Sequence, residues 1–359
     1  IDQQWLGKTS LSISLVGSPK LNSGLKINGH INEINIEEHR VERIEVDGIL
    51  LEEILKIQAS LNDPDYLSIV ETSIDFSDTL RVGANITFDE FFVGRFMGGS
   101  GTKISGKMRA DLLLDPDYLH AQLSLLNFDL NLDTISHQID SLWLDLHLSD
   151  KQSSIIIAAD DLSGELNANF NLQQEPINMM ELITKFGPGK RMSAGNRKLD
   201  FTLAIQDITP IKIIDQRLEN LVDLRLSGHL NEAESSIQFN AYANEFKGFG
   251  LNIDSFNIHF EENVQTMESE VIFDQMVYND ITIGDLAASV VEQEQELHGL
   301  LSLDNKSGPL ISLSSLIKPL NQGLQIHLDS LSAFGQQFQL NPLNTIQIHK
   351  EGITIDNFH

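Results

Sequence analysis

The chain of 359 residues contains no cysteine, so no disulfide framework or thiol chemistry is available to it. That absence is ordinary in exported bacterial proteins, where no thiol is left to pair wrongly in an oxidising compartment. Basic charge is scarce: 24 Lys and Arg stand against 52 Asp and Glu, a net charge of −28. Clustered cations are what a phosphate backbone or an anionic lipid surface requires, so a nucleic-acid partner and such a docking surface are both excluded. Aromatic residues make up 7% of the chain and only two are Trp, too few for the girdles of an outer-membrane barrel. No long apolar run, initiator Met or signal-peptide pattern is present, so the chain reads as a piece whose targeting segment lies outside it.

What the chain has is alternation. Leu142, Leu144, Leu146 and Leu148 fall on one face of a strand, and Trp143, Asp145 and His147 on the other. Phe201/Leu203/Ile205, Val222/Leu224/Leu226, Ile237/Phe239/Ala241 and Leu324/Ile326/Leu328 repeat the form, and Ile346/Ile348 with Ile353/Ile355 reads as a terminal hairpin. The pentapeptide Asp-Pro-Asp-Tyr-Leu occurs at 63–67 and again, 52 residues later, at 115–119. Pro fixes φ and Asp bonds its own downstream backbone, so each copy predicts a hairpin tip; a recurrence at this spacing also signals an array of equivalent units. Leu251, Ile253 and Phe256 echo Ile281, Ile283 and Leu286, and in both the apolar register slips by one residue, as a β-bulge requires. Helix is expected at Pro176–Phe186, with Gly187 as its stop, and at Ser312–Leu320. Lys185, Lys190, Arg191, Arg197 and Lys198 form the one basic cluster, read as a solvated loop.

Catalytic and metal-binding patterns are missing. Gly94 to Lys103 has the order Gly-Thr-Lys, whereas a phosphate loop needs Gly-Lys-Ser/Thr opening a helix. No nucleophile elbow surrounds Ser100, the 11 histidines are scattered, and the Asp-Pro-Asp blocks lack the oxygen spacing of a calcium loop. The chain therefore reads as non-enzymatic, with no cofactor.

Strand-plus-turn units of ordinary length give roughly 30 strands, too many for one compact sandwich or barrel. As one flat sheet they would run on the order of 140 Å, so they must curl or split. Each strand has one apolar face that must be covered. A second sheet would cover it in a sandwich array; a sheet curling on itself would instead make a greasy trough that accepts acyl chains. The expected fold is all-β: an elongated, curled antiparallel sheet with one or two short helices, continuous over 1–359, with 187–196 as the best break.

In this setting the chain resembles the TamB group of the AsmA-like superfamily, and more narrowly an internal segment of the long TamB-like proteins of Bacteroidota. The likeness rests on the two Asp-Pro-Asp blocks and on Leu162–Phe170 leading into 176–186. It rests also on Leu199–Asp207 followed by Leu224–Leu230, and on the tail Leu324–Phe358, where Phe338 stands in place of an expected Trp. The resemblance implies a β-taco trough bridging inner and outer membranes in the periplasm, anchored through regions outside this chain. It implies passive phospholipid transfer, with acyl chains as ligand and an outer-membrane barrel as a further partner in protein assembly. The implied groove lining is Leu142, Leu144, Leu146, Leu148, Phe201, Leu203, Ile205, Val222, Leu224, Leu226, Ile237, Phe239, Leu324, Ile326 and Leu328. Two other readings stay open: a module that pairs a sheet edge with a client strand, and a structural array of closed sandwiches.

Overall fold

The computed structural model describes residues 6–17, 24–36, 39–63, 66–92, 103–132, 135–174, 195–206, 217–263, 266–279, 281–293, 296–305, 308–320, 323–349 and 352–357. Among these residues there is no helix; all 26 elements are strands, and every ladder between them is antiparallel. The chain divides into two compact units, 1–163 and 164–359.

The first unit is a simple meander. Its strands are β1 (Leu6–Gly17), β2 (Leu25–Ile36), β3 (His39–Leu51), β4 (Ile54–Asp63) and β5 (Tyr66–Asp75). They continue with β6 (Leu80–Phe92), β7 (Lys103–Asp115), β8 (Tyr118–Leu132), β9 (Ile135–Ser149) and β10 (Gln152–Ala159). Each strand pairs with its neighbour in sequence, and among the described residues no ladder joins β1 to β10, so the sheet curls without closing. Each Asp-Pro-Asp block falls between two paired strands, with Asp63 opposite Tyr66 and Asp115 opposite Tyr118; residues 64–65 themselves lie outside the described residues. They are not equivalent units, however. The interval between them holds an odd number of strands, β5 to β7, so the copies sit at opposite margins of the sheet. Their surroundings differ accordingly: Asp63 is buried, and its carboxylate accepts the backbone N–H of Glu42 at 2.9 Å, across the β3–β4 ladder.

The division between units falls inside β11 (Leu162–Ala168). The second unit continues with β12 (Lys198–Ile205), β13 (Leu218–Val222), β14 (Leu224–Asn231), β15 (Ser236–Ala243), β16 (Glu245–Gly248), β17 (Leu251–Ile253) and β18 (Ser255–Glu262). Then follow β19 (Met267–Tyr278), β20 (Ile281–Gln293), β21 (Glu296–Asn305), β22 (Gly308–Leu320), β23 (Gly323–Ala333), β24 (Gln336–Gln337), β25 (Thr345–His349) and β26 (Gly352–Asp356). The main ladder runs β12–β14–β15–β18–β19–β20–β21–β22–β23–β25–β26. A second branch, β13–β16–β17–β19, rejoins it at Leu251 and Tyr278.

The two branches are one set of strands creased along a line. Apolar residues are spaced by three, not two, at Leu221/Leu224, Ala243/Phe246, Ile253/Phe256, Phe273/Met276 and Ile283/Leu286. One extra residue per strand keeps the apolar side chains on one face while bending the strand, which is the work of a β-bulge. The extra residues are polar and satisfy the interrupted ladder. Asp223 and Gln275 take left-handed φ of 52° and 49°. Asn244 donates its amide to Asp223 at 2.7 Å, and the Gln275 backbone N–H donates to Asp285 at 2.8 Å. On β20 the crease uses Gly284, at φ +110°, where a Cβ would lie 1.9 Å from the carbonyl oxygen of Asp304. The expected register slip at 253/256 and 283/286 is thus part of a crease that crosses five strands.

Two expectations need comment. Ser312–Leu320 is not a helix but the body of β22, hydrogen-bonded to β21 on one side and β23 on the other. Its apparent helical spacing arises because Leu316 faces away from Leu313 and Ile317; two ladders outweigh that spacing in a segment rich in Ser and carrying Pro319. Residues 176–186, and 187–194 of the expected break, lie outside the described residues, as do 98–101.

Candidate apolar groove and its inward carboxylates

In the first unit the ladders stack apolar side chains into continuous rows, because residues opposite one another in a ladder share a face. One row runs Ile27, Gly48, Ile57, Thr72, Ala84, Ala110, Leu123, Leu144 and Ile157. The next carries Leu142, and the one on the other side Leu146 beside Ile155. Phe88 joins this face, meeting Phe91 and Phe128 edge-on at centroid distances of 5.5 and 6.3 Å. These residues are half-buried by their neighbours within the sheet. Among the described residues, no hydrophobic side chain of this unit is fully buried; all that are lie between Ala168 and Leu328. Among the described residues, the first unit thus presents an apolar face whose side chains are half-buried and form no closed core.

The other face is polar: Lys26, Asn28, Asp47, Lys56, Gln58, Glu71, Asn85 and Arg109 line a shallow hollow of about 690 Å³ across β2 to β7. The expected leucines do not line this hollow. A twisted sheet is saddle-shaped, so each face is concave along one diagonal, and a hollow on the polar side follows from twist alone. At one end of this face stands His147, on the side of β9 opposite the leucines. It packs edge-on against Tyr118 at 4.8 Å, and nearby Asp145 accepts hydrogen bonds from Gln122 at 2.9 Å and from His120 at 2.9 Å.

In the second unit Phe201, Leu203 and Ile205 lie opposite Gly228, Leu226 and Leu224. Leu226 and Gly228 in turn face Ala241 and Phe239, and Leu230 faces Ile237. The Phe201 ring occupies the space over Gly228, where a Cβ would meet it at 2.1 Å. Ile205 and Ile237 are buried, and Phe201 and Phe239 half-buried, their rings 6.4 Å apart. Val222 is separated from Leu224 by the crease at Asp223 and sits on β13, opposite Glu245. Leu324, Ile326 and Leu328 share one face of β23, with Leu324 exposed and Leu328 buried. A closed cluster forms only where Ala168, Phe170, Leu199, Leu230 and Ile237 meet.

Arg197 leaves the solvated-loop reading of the basic cluster. It is half-buried, forms two contacts of 2.7 and 2.5 Å to the buried carboxylate of Glu232, and stacks 5.7 Å above the Phe170 ring. Burial of Glu232 selects the nearest cation, because an unpaired carboxylate there would be costly. Lys198 is exposed at the start of β12, and Lys185, Lys190 and Arg191 lie outside the described residues.

Two carboxylates interrupt the apolar face, and neither stands out by alternation or motif. Glu262 lies opposite Ile237 on β15 and Met267 on β19. Glu292 lies opposite Leu297 on β21, itself opposite Ile317. Glu262 is 8% exposed and its Oε2 is buried without a hydrogen-bond partner. Burial, and then the negative charge of Glu292, push the Glu262 carboxyl up to about 8. The signal is parity, which the ladders fix: Ile258, Phe260 and Glu262 are in step.

The fold therefore defines an antiparallel all-β protein of curled, one-sided sheets carrying an apolar face. No family model matches the chain, and no curated protein or solved structure matches it either.

Proposed function

We propose that this chain shields phospholipid acyl chains on its apolar sheet face, as a periplasmic segment of a longer TamB-like bridge between two membranes. The observation that carries the proposal is the first unit, in which meandering strands stack apolar rows and, among the described residues, leave no hydrophobic side chain fully buried. Such a face calls for a cover. An acyl chain of ~16 carbons costs on the order of 12 kcal/mol to expose to water, at about 0.8 kcal/mol per CH₂. Cover and cargo thus satisfy one another, and the transfer needs no catalytic group. The family likeness of the sequence supplies the membrane setting and the barrel partner.

Native mass spectrometry with lipid extraction tests this, together with photocrosslinking from positions 144 and 203. Co-purified phospholipid that crosslinks at both positions is expected, and Leu144→Asp is expected to reduce lipid yield while the sheet stays folded. A lipid-free protein with both positions unreactive towards added phospholipid overturns the proposal.

A further inference from the structure

We propose that Glu262 and Glu292 form a seat for the cationic amine head of an amphiphile whose chain lies along the apolar face of the second unit. This rests on the acyl-chain reading above and names the head group that accompanies the chain.

The argument begins with placement. Both carboxylates belong to the face that also carries Leu297, Ile317 and Ile326, not to the solvated face. Sheets place Glu outwards by default, since a buried carboxylate without a partner is costly. The Oε2 of Glu262 has no such partner among the described residues, and the side chains opposite Glu262 in its two ladders, Ile237 and Met267, cannot donate a hydrogen bond or titrate. Arg197 is engaged by Glu232, and no cation acts on Glu262 among the described residues. Glu292, carried by β20 beyond Met267, is half-buried and is the one charge that shifts Glu262. Ionised together, two carboxylates facing the same apolar surface would repel each other; an ammonium group held by both relieves that repulsion and donates to the bare oxygen. The apolar rows on either side make the rest of the ligand an alkyl chain, so the complementary molecule carries a positive head on a hydrocarbon tail.

Proton linkage gives the seat a signature. With its proton in place near neutral pH, Glu262 has no charge to offer, so a cation must displace that proton. Affinity should rise about tenfold per pH unit below 8 and level off above it. The probe is dodecylammonium, which keeps its charge from pH 6 to 9 and carries N–H donors, with dodecyl maltoside as the neutral companion. Both are measured below their micellar concentrations by titration calorimetry from pH 6 to 9, in buffers of different ionisation enthalpy. The expected result is one site that prefers the cationic probe and releases close to one proton at pH 7. In Glu262→Gln that preference should fall at least about tenfold and lose its pH slope, and Glu292→Gln should weaken it. Gln keeps the shape of Glu, and binding of the neutral probe to each variant reports that the face is intact. Equal binding of the two probes overturns the seat and leaves the acyl-chain reading standing. A cationic preference that survives both substitutions reflects the diffuse charge of −28 and also overturns it. Binding of neither probe overturns both.

Discussion

Asn344 holds the edge of β23 where β25 stops, and its removal gives a sharp energetic test. Beyond the rung between Ile326 and Ile346, the strand that should continue pairing with β23 turns away, and the Asn344 side chain takes its place. Its Oδ1 accepts the Leu328 N–H at 2.8 Å, and its Nδ2 donates to the Leu328 carbonyl at 3.0 Å and to the Asn341 carbonyl at 2.7 Å. Asn344 is 1% exposed and Leu328 4%, so water does not readily replace these bonds. Asn344→Ala leaves both backbone groups of Leu328 unpaired. At ~1–3 kcal/mol for each buried unsatisfied group, the local cost is about 2–6 kcal/mol. Asn344→Asp keeps the acceptor but points an anionic oxygen at two carbonyls. It should cost at least as much at neutral pH and less in acid, where a protonated carboxyl again donates. The lost bonds are local, so the assay is amide exchange at Leu324–Leu328, with β14 and β15 as internal reference. Protection at Leu328 should fall by a factor of roughly 30 or more, while the reference strands keep theirs. Unchanged protection of Leu328 in Asn344→Ala would refute the idea that an amide side chain serves as a rung.

Three further outcomes follow from the same structure. Glu262 ordinarily titrates near 4.5 and is held at about 8 in the fold, so its contribution to stability is intact below pH 4.5 and is lost as pH rises through 8. Between pH 5 and 9 that loss is on the order of 4 kcal/mol; urea midpoints across the range should fall with pH, and Glu262→Gln should flatten the decline. Gly284→Ala forces a Cβ against the Asp304 carbonyl at a left-handed φ, and should cost at least about 2 kcal/mol by urea denaturation, with lost exchange protection along the crease. Arg197→Ala leaves the Glu232 carboxylate buried without its cation; a cost of roughly 3 kcal/mol is expected, and Glu232→Gln in the same background should recover part of it.

Much of the fold could be read from period-two alternation. The β9 leucines, the tips at Asp63 and Asp115 and the terminal hairpin stand where alternation and turn chemistry put them. What escaped was set by tertiary pairing. Val222, Leu224 and Leu226 look like one strand, yet Asp223 at positive φ splits them between two ladders. Non-glycine residues at such bends carry no strong local signature, because Asp, Asn and Gln are equally at home on a solvated strand face. Leu313, Leu316 and Ile317 mimic a helical stripe because β22 has apolar side chains on both of its faces. For the candidate site, the apolar rows were legible in outline. The two carboxylates within them were not, since an acid near a hairpin end reads as solvated until the ladder fixes its parity. The equivalence suggested by the repeated pentapeptide failed for a similar reason, as sequence distance does not reveal whether an odd or even number of strands lies between.

That strand parity has a consequence for how such a sheet can change size. Among the described residues of the first unit each strand pairs only with its chain neighbours, so inserting one hairpin lengthens the sheet by about 10 Å and disturbs no existing ladder. Every turn beyond the insertion stays on its own margin. An insertion of one or three strands would instead send each later turn to the opposite margin and reverse the direction of every later strand. Growth is therefore quantised in pairs of strands, and reach can be tuned in these steps while the cross-section stays the same.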